Sequence, residues 1–167
     1  MSHSELVAET VRNLESILDK LRKDTGAGRT TVRLDHHGLG FDVDIPAAES
    51  LAEGVHSIKP HTTLDQWNAA AVKWLVRNMR TFVMNDCLNP WDPEVAPERE
   101  VIDTYGIRSE MVAPVIKSSN LVGWVSVHYT KGPRTWTEDD IKTIESACDR
   151  VREVLESVDA ASSEDPK

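Results

Sequence analysis

The sequence predicts an α+β fold that joins an antiparallel β-hairpin to a long helix at each end of the chain. Residues 107–116 and 121–129 are two runs rich in β-branched residues, and the intervening Lys-Ser-Ser-Asn is built of turn-forming types. Such a pattern is typical of neighbouring antiparallel strands. Apolar residues at alternating steps of three and four in residues 2–23 and 137–158 indicate two amphipathic helices.

The second run of the hairpin has one polar and one apolar face, because side chains alternate along a strand. Val125 and Val127 lie on the apolar face, whereas Trp124, Ser126 and His128 lie on the other. An indole and an imidazole on the polar face of a half-buried strand indicate where a ligand would bind. This face of the sheet is therefore the expected place for a ligand.

The N-terminal helix has a marked start and end. Ser2 and Glu5 have the spacing of a capping box, and Gly26 suits the end of a helix that runs to Lys23. The apolar stripe of this helix is narrow, like that of the C-terminal helix. The two stripes can pack on the sheet, on each other or on a second copy of the chain. We expect a homodimer through the terminal helices.

The first half of the chain is expected to hold a hairpin and two short elements. Residues 29–37 and 40–45 alternate between apolar and polar residues around a Gly-Leu-Gly turn and predict two strands. Arg33 and the acidic residues that alternate along these strands either are solvated or line a polar pocket wall. Residues 47–54 are compatible with a short helix and residues 55–58 with a strand fragment.

Three further elements precede the main hairpin. Residues 64–79 predict a helix, with Thr63 and Gln66 as its capping box. Residues 81–85 predict a short strand, and residues 98–105 predict a short helix that ends before a glycine. The loop between this strand and this helix contains three prolines and a tryptophan, so it is expected to be stiff.

The C-terminal helix also has a clear start. Thr137 and Asp140 form a shortened relative of the capping box, and Trp136 and Ile141 have the spacing of a hydrophobic staple. After this helix, the acidic residues 159–167 are expected to be disordered.

Four segments, taken in order, resemble the C-terminal half of a GAF domain. They are Tyr-Gly-Ile-Arg-Ser at 105–109, Met-Val-Ala-Pro-Val at 111–115, Leu-Val-Gly-Trp-Val-Ser-Val-His at 121–128 and Pro-Arg-Thr-Trp-Thr-Glu-Asp-Asp-Ile at 133–141. Residues 80–86 resemble the third strand of the family and the acidic residue that closes it.

The resemblance implies a central sheet of five or six antiparallel strands with helices on both sides, the N- and C-terminal helices packed together. It also implies a small-molecule pocket between the sheet and its covering helix and loops. It divides the chain into an N-terminal helix (1–25), a GAF-like domain that includes the C-terminal helix (26–158) and the disordered acidic tail (159–167).

Composition narrows the classes of function. A chain of 167 residues is long enough for one domain with a proper core. Its net charge of −9 and its lack of basic runs argue against nucleic acid as a partner. No apolar stretch is long enough to span a membrane, and the N-terminus has no apolar signal region. The two cysteines are too few for a disulfide framework, so a cytoplasmic protein is expected.

Metal and thiol chemistry find little support in the sequence. The six histidines do not form a metal-binding motif, and no cofactor is expected. Cys87 follows Asp86, a neighbour that raises rather than lowers the pKa of a thiol. GAF domains that bind bilins attach the chromophore to a cysteine with an adjoining histidine, and this pair is missing from the sequence.

The remaining hypothesis is a binding pocket with aromatic walls and a few ionisable groups, suited to a small aromatic, heterocyclic or anionic ligand. Its candidate residues are Trp67, Trp74, Asp86, Cys87, Trp91, Arg108, Glu110, Trp124, Ser126 and His128. The predicted protein is a stand-alone sensor that reports occupancy to a regulatory protein partner. The alternative is a small enzyme that uses the same pocket, with His128, Asp86 or Cys87 as the working groups.

Overall fold

The computed structural model describes residues 1–61 and 65–164. Within them the chain forms four α-helices and five β-strands. These are α1 (His3–Thr25), β1 (Arg29–Leu34), β2 (Ala48–Leu51), α2 (Ala70–Asn78), β3 (Phe82–Met84), α3 (Arg99–Tyr105), β4 (Ser109–Lys117), β5 (Asn120–Tyr129) and α4 (Glu138–Glu164).

The strands form one antiparallel sheet in the order β2-β1-β5-β4-β3, so the predicted fold class is confirmed. The main hairpin closes between Lys117 and Asn120. Both turn residues, Ser118 and Ser119, have positive φ angles (51° and 67°), as the tightest hairpin turns require. On β5, a Cβ atom at Gly123 would lie 2.1 Å from the backbone oxygen of Arg33, so this glycine permits the close approach of β1.

Helices α1 and α4 pack together on one side of the sheet. The capping boxes predicted at Ser2–Glu5 and Thr137–Asp140 are both present. The apolar stripes of the two helices are buried in a core that they share with the sheet, and its helical members include Leu14, Leu18, Leu21, Ile144, Cys148, Val151, Leu155 and Val158. Both stripes are therefore used within a single chain.

The opposite side of the sheet is covered by shorter elements. Helices α2 and α3 and the loop between β3 and α3 enclose a second core, which contains Leu75, Phe82 and Ile102. No helix of the described residues is long and apolar enough to cross a membrane.

The second strand lies later in the chain than predicted. Residues 40–45 form no strand; Phe41 makes only an isolated bridge to His36. The partner of β1 is instead β2, in the segment 47–54 for which a short helix was predicted. Strand pairing with β1 overrides the helix propensity of this alanine- and glutamate-rich segment. The strand fragment predicted at 55–58 is also absent.

Two helix boundaries differ from the predictions. The helix predicted at 64–79 is a 3₁₀ turn at Gln66–Asn68 followed by α2, and its capping residue Thr63 lies outside the described residues. Helix α4 continues to Glu164, so residues 159–164 are helical rather than disordered. Asp159 holds this end of the helix through contacts with His36 and Lys117.

Candidate functional site

A cavity of about 530 Å³ lies on the α2 side of the sheet. Its floor is made by side chains of β1, β4 and β5, and its walls are made by residues 65–73 and by the segment 94–101. Apolar side chains make up much of the lining, with Ile58, Val72, Val101 and Ile107 among them. The cavity therefore lies where the resemblance to GAF domains predicts a pocket.

Strand pairing arranges this face of the sheet as three rows that cross β1, β5 and β4, and most of their side chains form the cavity floor. Because alternate residues of a strand share a face, the side chains of these rows point to the same side of the sheet. The rows are Arg29–His128–Glu110, Thr31–Ser126–Val112 and Arg33–Trp124–Pro114.

In the first row, the guanidinium group of Arg29 is fully buried and its donors are occupied. Its Nε and Nη2 donate to the backbone oxygen of His56, at 3.3 and 2.8 Å. Its Nη1 donates to the backbone oxygen of Tyr105 at 2.9 Å and lies 3.1 Å from Nδ1 of His128. Burial lowers the pKa of Arg29 to about 10, which leaves the group charged at neutral pH.

The contact with Arg29 defines the tautomer of His128. A guanidinium group has no acceptor, so Nδ1 of His128 accepts the hydrogen bond and the proton of the neutral ring is on Nε2. Burial, together with the charges of Arg29 and Arg33, lowers the pKa of His128 well below its ordinary value. Tyr105 stacks on the imidazole, with 6.3 Å between ring centroids.

Glu110 completes the first row. Its Oε2 lies 3.9 Å from Nε2 of His128, beyond hydrogen-bond distance. Burial raises the pKa of Glu110 to about 7. A carboxyl group and a neutral imidazole thus stand side by side on the cavity floor, where the carboxyl group changes its charge near neutral pH.

The third row contains the second buried arginine. Arg33 is 3 % exposed, and its Nη1 donates to the backbone oxygen of Val43 at 2.9 Å. Its Nη2 is buried without a hydrogen-bond partner among the described residues. Burial lowers the pKa of Arg33, while Tyr105, Asp44 and Glu49 act in the opposite direction.

Trp124 lies beside Arg33 on β5 and is almost completely buried. Trp67 meets it edge to face, with 5.2 Å between ring centroids, and is itself partly exposed. At the rim of the cavity, the exposed charged residues are Asp65, Lys73, Glu94 and Glu98. The entrance is therefore acidic overall, although a buried cation lies on the floor.

The structure brings together four of the candidates that we selected from the sequence. Glu110, Trp124, Ser126 and His128 line the cavity, and Trp67 reaches it only through its contact with Trp124. Their role in binding stays a prediction.

The other two tryptophans lie elsewhere, in an aromatic cluster beside the cavity. Trp74 and Trp91 pack against Phe82, and Arg80 lies over the ring of Trp74. Nε1 of Trp91 donates to the backbone oxygen of Val83 at 2.8 Å. Their contacts are those of packing residues.

Asp86, Cys87 and Arg108 are not among the cavity-lining residues. Asp86 accepts a hydrogen bond from the backbone of Leu88 at 3.1 Å and so shapes the turn after β3. Cys87 is buried in the second core, and burial, Glu110 and Asp86 all raise the pKa of its thiol. A thiol in such surroundings is a poor nucleophile.

Sequence reasoning missed Arg29 and Arg33 as site residues. Arg29 and Arg33 belong to a strand that is buried along its whole length, flanked on both sides by β2 and β5. Arg33 alternates with Val32 and Leu34, and such a pattern is most often a solvated strand face. The sequence left a polar pocket wall open as the alternative for Arg33. Choosing between the two alternatives requires the order of the strands in the sheet, which the sequence does not show. Among the described residues, no three His, Cys, Asp or Glu side chains form a group that could hold a metal ion.

The comparison with known families gives one result. The family model described as GAF domain matches residues 10–155. No curated protein matches the sequence.

Several solved structures share the fold at low sequence identity. The GAF domain of the cyanobacteriochrome TePixJ is 20% identical, with a TM-score of 0.69 over 91% of this chain and 93% of that one. The GAF3 domain of Slr1393 from Synechocystis sp. PCC6803 is 15% identical, with a TM-score of 0.66 over 98% and 100%. The chromophore-binding domain of the bacteriophytochrome RpBphP3 from R. palustris is 16% identical, with a TM-score of 0.61 over 94% and 62%. At these identities the likeness concerns the fold alone.

Proposed function

This chain belongs to the GAF domain family, and from that premise we propose that it is a sensor domain that binds a small molecule between its sheet and α2. One observation carries the proposal: a cavity of about 530 Å³ whose floor holds buried polar and charged side chains. This volume lies within the range of about 300–1,000 Å³ that is usual for ligand pockets. Burial of polar groups is costly, and a binding site is a reason to keep them.

The similar solved structures suggest a chromophore as one class of ligand, since one of them is the chromophore-binding domain of a bacteriophytochrome. Covalent attachment has little support here. Cys87 and Cys148 are both buried and neither lines the cavity. The ligand proposed is accordingly held by non-covalent contacts, as an aromatic, heterocyclic or anionic molecule.

The output of the sensor is proposed to be a change in its association with a regulatory protein or with a second copy of the chain, in the cytoplasm. The buried stripes of α1 and α4 do not support the homodimer, because they are used within the chain. A different surface does: a groove between the two helices, which includes the partly exposed Leu6, Ile17 and Val154. Native mass spectrometry of the purified protein measures the oligomeric state directly, and a monomer at all concentrations would contradict the homodimer.

Binding is tested by native mass spectrometry of freshly purified protein, beside its denatured mass, followed by a thermal-shift screen of metabolites. We expect a non-covalent ligand or a stabilising compound in the wild-type protein. Ala70→Phe fills the cavity from α2 and is expected to abolish binding. Val76→Phe is the matched control, because Val76 is exposed on the same helix and does not line the cavity. Equal binding by both variants would place the ligand elsewhere and contradict the proposal.

One observation favours an enzyme as the second candidate. His128 and Glu110 lie 3.9 Å apart on the cavity floor, and the pKa of Glu110 is raised to about 7, suitable for proton transfer at neutral pH. For Asp86 and Cys87, the other proposed working groups, the geometry offers no such support. If Glu110→Gln retains binding of a screened compound but loses its turnover, the enzyme is favoured; compounds that bind without turnover favour the sensor.

A further inference from the structure

One buried donor at the floor of the cavity has no hydrogen-bond partner among residues 1–61 and 65–164. Nη2 of Arg33 has no hydrogen-bond partner among the described residues, although Nη1 of the same group is bonded to Val43. A buried donor without a partner costs free energy, more so when it is charged. Arg33 lines the cavity and is 3 % exposed, so a bound ligand is positioned to supply the missing acceptor.

Among the described residues no ion pair compensates the charge of this group, although Tyr105, Asp44 and Glu49 favour its charged form. Within the part of the chain that the structure describes, neither Arg29 nor Arg33 forms an ion pair with a carboxylate. Glu110, which also lines the cavity, is a weak source of compensation, because burial favours its neutral form. Arg29 is held by backbone oxygens, which leaves Arg33 as the cation with a free donor. Two buried cations beside a cavity favour an anionic ligand.

The surroundings of Arg33 indicate the rest of the ligand. Trp124 is its direct neighbour across the β1–β5 pairing, and Val112 and Val72 also line the cavity. A flat aromatic ring is suited to the face or edge of an indole between such apolar walls. An acidic group on an aromatic ring would meet Arg33 while the ring lies against Trp124.

The acidic rim limits the charge of the anion. Asp65, Glu94 and Glu98 at the entrance outnumber Lys73, and they repel a group with two or more negative charges. A phosphate ester needs several donors, whereas one guanidinium edge matches a single carboxylate. The rim therefore favours a monoanion over nucleotides and other phosphates.

We propose that the ligand of this pocket is a planar aromatic monocarboxylate, and that its carboxylate is bound by Nη2 of Arg33. The proposal rests on the proposed function, since it names the ligand class of the same cavity. Arg33 thereby becomes the residue that determines specificity for the anion, and Trp124 the residue that determines specificity for the ring.

The test uses probes that differ in one property at a time, measured by isothermal titration calorimetry on the full chain. 2-Naphthoate is compared with 2-naphthamide, which has the same shape without the charge. It is also compared with 2-naphthyl phosphate, which carries more charge, and with decalin-2-carboxylate, which is not planar. We expect 2-naphthoate to bind the wild-type protein at least about tenfold more tightly than each of the others.

The variant Arg33→Gln is expected to bind the acid and the amide with equal affinity, its folding being checked by circular dichroism. Arg99→Gln is the control, because Arg99 is an exposed arginine that pairs with Asp103. If Arg33→Gln does not fold, the proposal is judged from the affinities of the four probes for the wild-type protein. Arg33→Lys is then the second variant, and it is expected to keep a preference for the acid.

Three results would overturn the proposal. Equal affinity of acid and amide in the wild-type protein would show that the negative charge does not contribute to binding. Tighter binding of the phosphate would show that the pocket does not prefer a monoanion. If no carboxylate binds, the ligand is not an aromatic monocarboxylate. In each case the proposed function is judged separately, by whether the protein binds any compound that Ala70→Phe excludes.

Discussion

The two sides of the sheet differ in what they bury. On the α1–α4 side, two long helices place apolar side chains such as Leu14 and Val151 against the sheet, and the core is continuous. On the α2 side, short elements leave a cavity. Arg33 and Glu110 lie on its floor and Arg29 lies on the same face of the sheet, all with very little exposure. The first side contributes mainly stability, whereas the second retains costly buried charges, for which the proposed ligand site would be a reason.

The largest expected effect compares one fully buried leucine from each side. Leu14→Ala on α1 is expected to lower the free energy of unfolding by about 4 kcal/mol, because the long helices cannot close the space left behind. Leu75→Ala on α2 is expected to cost about 2–3 kcal/mol, because this short helix beside a cavity can shift more easily. Urea denaturation measures both, and a larger loss for Leu75→Ala would contradict the comparison.

The next prediction compares the two buried arginines. Arg29→Met removes the donors for the backbone oxygens of His56 and Tyr105, so we expect a loss of about 2–4 kcal/mol in the free energy of unfolding. Arg33→Met removes one hydrogen bond, to Val43, but also an unpaired buried charge, so we expect a change below about 1 kcal/mol. The same denaturation experiment checks the pair. Equal losses would indicate that Arg33 has a structural role.

These predictions concern parts of the fold that the sequence revealed to different degrees. The hairpin of β4 and β5 and the terminal helices were predictable, because their periodicity and caps are local in the chain. The position of β2 was not, because pairing with β1 decides between strand and helix for residues that favour a helix alone.

The candidate site was predictable where alternation on β5 identifies its face, as at Trp124 and His128. The role of Arg33 was hidden, because its burial depends on β1 lying between β2 and β5. Cys87 was selected for a loop position, yet the loop folds inward and buries the thiol. Local pattern thus found the face of the sheet, whereas long-range strand order determined which side chains share it.

A pH prediction tests the charged floor of the α2 side. The pKa of Glu110 is raised by burial from 4.5 to about 7, so the folded protein keeps the proton over a range in which the unfolded chain has lost it. The stabilisation from the neutral carboxyl group is therefore present in full below about pH 4.5 and is lost as the pH rises to about 7, by up to about 3 kcal/mol.

Glu110→Gln provides the measurement for this prediction, because the amide does not titrate. The lowered pKa of the neighbouring His128 acts in the opposite sense, since it destabilises the folded protein as the pH falls below about 6.5. Both proteins contain His128, so the difference between their unfolding free energies isolates Glu110. That difference is expected to change between about pH 4.5 and 7. A constant difference would show that Glu110 is not buried as the structure describes.

The smallest expected effect concerns the end of α4, on the helical side. Asp159 contacts His36 and Lys117, and these contacts tie the last turns of the helix to the sheet. Asp159→Asn weakens both contacts at a half-exposed position, so the free energy of unfolding is expected to fall by less than about 1 kcal/mol. Hydrogen exchange is the more sensitive measurement, and it should show faster exchange confined to the final turns of α4. Unchanged exchange there would mean that the packing of Val158, rather than these charges, holds the helix end in place.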